Sequence, residues 1–300
     1  MTLVATLIAN EANPAITDAV LAEARAVLAT EHQPRILHGE VAAELLVPGA
    51  PEAAPALTER LRQALAGENI DVAVLPGGPH RRKRLFLADM DSTMIGEECI
   101  DELADVVGLK QHVSAITERA MRGEIAFEPA LRERVALLKG LSVDVIEDLI
   151  RNRLTLTPGG AVLVRTMRAH GVYTCLVSGG FTLFTGPIGQ RIGFHEDRSN
   201  RLVVVDQHLA GTVEEPIVGK AAKRDTLIEL RTRLGVEASE TIAVGDGAND
   251  LAMLSEAGLG VAYHAKPAVA QSAKVRIDHG DLTALLYLQG YSASEFVSAT

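Results

Sequence analysis

Five short apolar runs recur along the last two thirds of the chain, at residues 85–88, 172–177, 241–244, 260–263 and 274–277, with helix-patterned segments between them. That alternation constrains the fold more than any other feature. Apolar strands with no polar face, separated by helices, are buried on both sides of a parallel sheet. The expected class is α/β, with a doubly wound, mostly parallel sheet. Three of the runs end in polar residues of distinct kinds. The first ends in Asp89-Met90-Asp91, the second in Ser178-Gly179-Gly180, the third in Gly245-Asp246-Gly247-Ala248-Asn249-Asp250. Open parallel sheets bind ligands beyond the carboxyl ends of their strands. The three groups are therefore expected to share one crevice.

Residues 96–155 interrupt this pattern. They read as four helices and no strand, at 98–107, 113–122, 127–139 and 143–152, with Gly108 and Gly140 where helix stops belong. A wholly helical insert in such a core is expected to form a lid over the site. Residues 201–213 read as a hairpin flap turning at Asp206 and Gln207. Ahead of the core, residues 1–78 read as a small α+β unit in the order β-α-β-(β)-α-β, a ferredoxin-like split. Its helices are expected at 14–29 and 55–66, and its strands at 3–9, 41–47 and 70–75. Pro76-Gly77-Gly78-Pro79 marks its end, and the basic run His80-Arg81-Arg82-Lys83-Arg84 reads as a solvated linker. The domains expected are thus 1–78, a core of 85–95 and 156–300, and a cap of 96–155.

Composition narrows the function. Hydrophobic residues make up 47% of 300 and charged residues 23%, which excludes a disordered chain. A net charge of −10, with one short basic run, speaks against a nucleic-acid partner. No run of 18 apolar residues exists, so no membrane span is expected. The N-terminal stretch lacks the basic start of a signal peptide. The two cysteines, Cys99 and Cys175, have neither metal-ligand nor disulfide spacing, so a reducing, cytoplasmic setting is expected.

The strand-end acids resist the simpler readings. A calcium loop opening at Asp89 needs Gly and Glu where Met94 and Ile100 stand. Leu176 replaces the first glycine of a nucleophile elbow around Ser178. Asp246 inside Gly245-x-Gly247 would repel a pyrophosphate. Ala221 replaces the hydroxyl residue that a P-loop requires after Lys220. What remains is phosphoryl chemistry. Asp89, Asp91 and Asp246 can offer oxygen ligands to a hard cation such as Mg2+. A carboxylate can attack phosphorus. Ser178 and the amides of Gly179 and Gly180 can donate to phosphoryl oxygens, and Lys223 adds positive charge.

Together these residues resemble a known family. DMDST, SGG, the later lysine and GDGAND match in order and spacing the four motifs of the haloacid-dehalogenase-like phosphatases. The longer stretches DMDSTMIGEECIDELA, FEPALRERVALLKGL, VSGGF and AVGDGANDLAML are similar to its phosphoserine phosphatases, over about residues 85–285. The resemblance implies hydrolysis of O-phospho-L-serine through an aspartyl-phosphate. Asp89 would be nucleophile and Asp91 general acid, then base. Mg2+ would rest on Asp89, the Asp91 carbonyl and Asp246, with Asp250 in support. Ser178, Gly179, Lys223 and Asn249, with Gly180 beside them, would bind phosphate. In the cap, Glu98 would meet the substrate ammonium and Arg134 its carboxylate, while Met121 and Phe127 would shield the site. Arg132, two residues from Arg134, should face elsewhere on the helix. The N-terminal unit resembles ACT-like domains, which implies a homodimer or an amino-acid effector. Two other readings stand beside this one. One places the same chemistry on another small phosphomonoester, or on transfer to an acceptor such as homoserine. The other is an amino-acid-responsive regulator with a residual phosphatase core.

Overall fold

The computed structural model describes residues 2–121 and 124–298, with the backbone alone at Glu118, Ala120 and Met121. The chain begins with β1 (Thr2–Ala9), α1 (Asp18–Leu28), β2 (Arg35–His38), β3 (Ala42–Pro48), α2 (Ala54–Ala64) and β4 (Ile70–Pro76). These strands form an antiparallel sheet in the order β2-β3-β1-β4. Alternation sends Leu3, Ala5 and Leu7 with Ala43, Leu45 and Val47 against the two helices. Ile8, Ala42 and Ala73 face the other way, into the core of the larger body. The first helix starts later than expected, at Asp18 rather than residue 14. The Thr17 hydroxyl accepts the Val20 N–H at 3.3 Å and sets the start there. Ahead of it, the N–H groups of Ala15 and Ile16 are taken by the Glu40 carbonyl.

The larger body opens with β5 (Leu85–Ala88). The cap helices follow: α3 (Cys99–Val106), α4 (Lys110–Met121), α5 (Phe127–Ala136) and α6 (Asp144–Asn152). Then come α7 (Gly160–Ala169), β6 (Tyr173–Phe181), α8 (Thr182–Ile192), β7 (Glu196–Asn200), the hairpin β8 (Leu202–Val205) and β9 (His208–Val213), and α9 (Lys220–Leu234). The chain closes through β10 (Thr241–Gly245), α10 (Leu251–Glu256), β11 (Leu259–Tyr263), α11 (Pro267–Ser272), β12 (Val275–Ile277) and α12 (Ala284–Leu288). Six parallel strands run in the order β12-β11-β10-β5-β6-β7. Alternate residues of β5 enter separate cores: Phe86 and Ala88 one, Leu85 and Leu87 the other. Both faces of the sheet are therefore buried. The strand order reverses between β5 and β10, which puts their carboxyl ends side by side at the switch point.

Two elements differ from the sequence reading. β7, EDRSN, is a polar edge strand with no apolar run to signal it. β6 continues past Val177 to Phe181, with a register shift between those two residues, so Ser178-Gly179-Gly180 lies in an irregular stretch of strand rather than after it.

Main-chain hydrogen bonds fasten the cap to the core at its base and at the hairpin. At its base, Gly96 N–H bonds Thr155 O at 3.1 Å and Thr157 N–H bonds Met94 O at 3.0 Å. Farther out, the turn after α5 pairs with the hairpin: Gly140 N–H to Leu209 O, and Leu209 N–H to Leu141 O, at 2.8 and 2.9 Å. Gly108 and Gly140 have φ of +70° and +84°, the left-handed conformation that glycine tolerates at a helix stop. Among the described residues, no helix is long and apolar enough to cross a membrane.

The basic run at 80–84 is more than a solvated linker: His80, Arg82 and Arg84 are exposed, but its cations are partnered. Arg81 is largely buried, paired with Glu44 and donating to the carbonyls of Leu288 and Tyr287. The Arg82 guanidinium lies 4.0 Å from the Tyr291 ring centroid and pairs with Glu295. Lys83 donates to the carbonyls of His80 and Ser239, and Arg84 pairs with Glu240. The run is the joint between the two bodies, and carboxylates, carbonyls and a ring from both sides neutralise it.

Asp71, in β4, secures the same joint. Its carboxylate accepts the N–H groups of Asp278, His279 and Gly280 at 2.7, 3.1 and 2.7 Å. Replacing it by alanine strands three donors, at least one of them buried. Asp71→Ala is expected to lose about 2–4 kcal/mol, read as a lower urea midpoint. Asp71→Asn, which keeps one acceptor oxygen, should lose less. An unchanged midpoint in Asp71→Ala would mean that solvent serves those N–H groups equally well.

Candidate active site

Four backbone features aim the acids. β5 ends at Ala88, and Asp89 N–H is fixed to Val244 O of β10 at 3.0 Å, which ties the two strand ends together. Beyond it the chain coils around one carbonyl: Met90 O accepts the N–H groups of Thr93, Met94 and Ile95. The loop after β10 closes on Asp250, whose Oδ2 accepts Gly247 N–H at 3.0 Å. A Cβ on Gly245 would run into the Asp250 carboxyl group, so only glycine allows that closeness. Finally, α9 carries Lys223 in its first turns, directed into the crevice floor.

Lys223 is the centre of the charge arrangement. It is 1% exposed, and its Nζ lies 2.6 Å from Asp89 Oδ1 and 2.7 Å from Asp250 Oδ1. Burial works against its charge, but Asp89 and Asp250 outweigh it and hold its pKa above the ordinary lysine value. Asp89 Oδ1 also accepts Met90 N–H at 2.8 Å, which leaves Oδ2 as the less encumbered oxygen. Burial first, and the neighbouring Asp250 next, push Asp89 well above the usual carboxylate range. Asp246 is raised by burial and by Asp250, and its Oδ1 accepts the Thr93 hydroxyl at 3.2 Å.

One ammonium thus faces three carboxylates. Oxygens of Asp89, Asp246 and Asp250 lie within 4.8 Å of one another. An all-carboxylate set of this kind suits a hard divalent cation, which would answer the excess negative charge. The Asp91 carboxylate lies outside this set. Its Oδ1 accepts Cys99 N–H at 3.0 Å and its Oδ2 the Ser178 hydroxyl at 3.3 Å. Burial raises Asp91 too, with the Cys99 hydrogen bonds opposing. Ser178 Oγ in turn accepts Gly180 N–H at 2.8 Å. A Cβ on Gly180 would sit 3.0 Å from both Asp91 Oδ2 and Ser178 Oγ, so bare backbone is what fits.

The cap closes over this floor. The Phe127 ring, at the start of α5, lies over Gly179 and Gly219; a Cβ on either would be 3.5 or 3.3 Å from it. Glu98 stands just before α3, accepting the Ser92 hydroxyl at 2.8 Å, and burial with Asp91 pushes its pKa up to about 7. Arg134 of α5 is half-buried and donates to Thr117 Oγ1 at 3.2 Å. Burial pulls it below the ordinary arginine value, while the fields of Asp101 and Glu98 pull the other way. Arg132 faces elsewhere, as two residues of separation on a helix require, and pairs with Glu215 of the core. Asn249 sits in the β10 loop, half-buried, next to Gly247 and Asp250. The side chain of Met121 lies outside the described residues.

Sequence reasoning missed three partners. Cys99 acts on Asp91 through its main-chain N–H, which no residue type announces. Thr93 was legible only as a turn residue, yet it holds Asp246. Glu97 binds Thr155 through both oxygens, at 2.9 Å to N–H and 2.6 Å to Oγ1, and so belongs to the cap hinge.

The pattern of the haloacid dehalogenase-like hydrolases matches residues 86–255. A phosphoserine phosphatase of Polaromonas sp. is 50% identical over 210 residues, covering 68% of this chain and 89% of that protein. One from Streptomyces coelicolor is 43% identical over 247 residues, covering 81% of this chain, which spans 60% of that protein's length. The solved structure of a probable phosphoserine phosphatase from Vibrio cholerae superposes with a TM-score of 0.78 at 32% identity, covering 98% of this chain and 88% of that one. The six-stranded parallel sheet, the strand-end aspartates and the matched pattern agree: this chain belongs to the haloacid dehalogenase-like hydrolase family.

Proposed function

We propose that the chain is a Mg2+-dependent phosphoserine phosphatase that converts O-phospho-L-serine and water to L-serine and phosphate, the last step of L-serine biosynthesis. One observation carries the substrate. Over a crevice of phosphoryl-transfer chemistry, the cap brings a carboxylate, Glu98, and a guanidinium, Arg134, whose positive charge Glu98 supports after the larger effect of Asp101. A zwitterionic phosphomonoester answers both, its ammonium to Glu98 and its carboxylate to Arg134. Relatives named phosphoserine phosphatase at 43% and 50% identity support the same reading.

In this reading Asp89 Oδ2 attacks phosphorus, because Oδ1 is occupied by Lys223 and Met90. The phosphorus–oxygen bond to serine breaks, and protonated Asp91 gives its proton to the departing serine oxygen. The raised pKa of Asp91 suits a group that must hold a proton until then. Water next attacks the aspartyl-phosphate, Asp91 takes its proton, and Asp89 returns to a carboxylate as phosphate leaves. Mg2+, resting on Asp89, the Asp91 carbonyl and Asp246 with Asp250 in support, would supply positive charge against the phosphate. Ser178, Gly179, Asn249 and Lys223 hold the phosphoryl oxygens, with Gly180 keeping Ser178 in place. Phe127 excludes water during attack, and the same part is proposed for Met121.

A cytoplasmic setting fits the two buried, unpaired cysteines. For the N-terminal unit we propose self-association or effector binding through its free β2 edge and its helices, since the catalytic body covers the second sheet face. Light scattering and calorimetry with L-serine on the intact chain test this.

Asp89→Asn should abolish phosphate release while the melting temperature stays within a few degrees; near-normal turnover would overturn the assigned nucleophile. Arg134→Ala should reduce kcat/KM on phosphoserine at least tenfold more than on phosphoethanolamine, which lacks the carboxylate. Equal losses would remove Arg134 from that role. Lys223→Met leaves two buried carboxylates without their cation, and should lower stability by about 3–5 kcal/mol in calorimetric melting, beyond its effect on turnover.

A further inference from the structure

The residue after Asp91 has an unusual backbone. Ser92 has φ of +55°, a left-handed conformation that a non-glycine residue enters only at a cost. Of the other non-glycine residues in this region, Ala29 ends α1, Asp206 and Gln207 make the hairpin turn, and His264 follows β11 with its N–H donated to Ile277 O. Ser92 serves none of these purposes. It lies on the crevice floor, and its hydroxyl donates to Glu98 Oε1 at 2.8 Å.

Two further observations single out Glu98. Its neighbour Glu97 is committed, with both oxygens on Thr155 at the cap hinge. Glu98 itself occupies the N-cap position of α3 but makes no side-chain capping bond. Its carboxylate is turned instead to Ser92. Oε1 is thereby fixed, and Oε2 has no hydrogen-bond partner among the described residues.

Resting on the proposed phosphoserine phosphatase activity, we infer that Ser92 is a positioning residue for substrate selection: it locks the Glu98 carboxylate so that Oε2 faces the substrate ammonium. A glycine would adopt this backbone without strain, so the serine is there at a cost in stability, and its hydroxyl is what the site gains. Without that bond Glu98 is free to rotate, to cap α3 or to meet solvent. The ammonium then finds its partner in place only part of the time, which weakens binding more than it slows the chemistry.

The test is steady-state kinetics with Mg2+ on the full chain, using phosphoserine and its des-amino analogue, 3-phosphonooxypropanoate. Ser92→Gly, which relieves the backbone, and Ser92→Ala, which does not, should both raise KM for phosphoserine by about tenfold, the loss of one charge-assisted hydrogen bond. On the des-amino analogue, kcat/KM should fall less than twofold in both. In a Glu98→Gln background, Ser92→Gly should raise KM no further, because the two act through one contact. The inference is overturned by an unchanged KM in Ser92→Gly, by equal losses on the two substrates, or by additive effects in the double variant. If the unmodified chain fails to hydrolyse phosphoserine, the functional reading falls and this inference with it.

Discussion

A single buried ammonium holds the catalytic floor together. Lys223 reaches Asp89 at the end of β5 and Asp250 in the loop after β10, with almost no exposure to water. A cation in the first turns of a helix opposes the helix dipole, and burial opposes it further. Both costs are met only because two carboxylates converge on it. The contact fixes α9 against two adjacent strand ends and fixes one oxygen of Asp89. It also leaves negative charge in excess, which suits the floor to a hard cation. Remove the lysine, and the acids that make the site would work against the fold.

The joint between the two bodies follows the same rule. The basic run at 80–84 has the composition of a solvated linker, yet each of its arginines meets a carboxylate or carbonyl from the other side. Arg81 crosses to Glu44 of the N-terminal sheet and to the carbonyls near α12, and Asp71 binds the turn before α12 from the opposite direction. The cations of the joining run and the Asp71 carboxylate of β4 both reach into the catalytic body, so the N-terminal sheet is a wall of that body as well as a unit with its own helices.

What the sequence made legible, and what it did not, divides along physical lines. β5, β10 and β11 were visible because a strand buried on both faces must be apolar. The acids at the ends of β5 and β10 were visible because nothing structural asks for them there. β7 was invisible, since a polar edge strand carries no such signature. The start of α1 was misread by four residues because the Glu40 carbonyl, distant in the string, takes the N–H groups of Ala15 and Ile16. The basic run was misread because its partners lie in other elements. In the site, side-chain types announced Asp89, Asp91, Asp246 and Lys223, while the main-chain N–H of Cys99 that steadies Asp91 has no residue signature at all.

Donors, rather than residue type, assign the work of these acids. Asp89 and Asp91 are two residues apart and chemically identical. One meets an ammonium and a main-chain N–H through a single oxygen, which leaves its second oxygen less encumbered; the other meets a hydroxyl and a main-chain N–H in a place where burial favours its proton. Glu97 and Glu98 are adjacent and chemically identical too. Thr155 takes both oxygens of the first and makes it part of the hinge, while Ser92 takes one oxygen of the second and leaves the other without a hydrogen-bond partner among the described residues. In each pair the string supplies two equal carboxylates, and the backbone around them makes the two unequal. The short coil from Asp89 to Glu98, wound around the Met90 carbonyl, is where both distinctions are made, so one turn of chain sets two pairs of carboxylates apart.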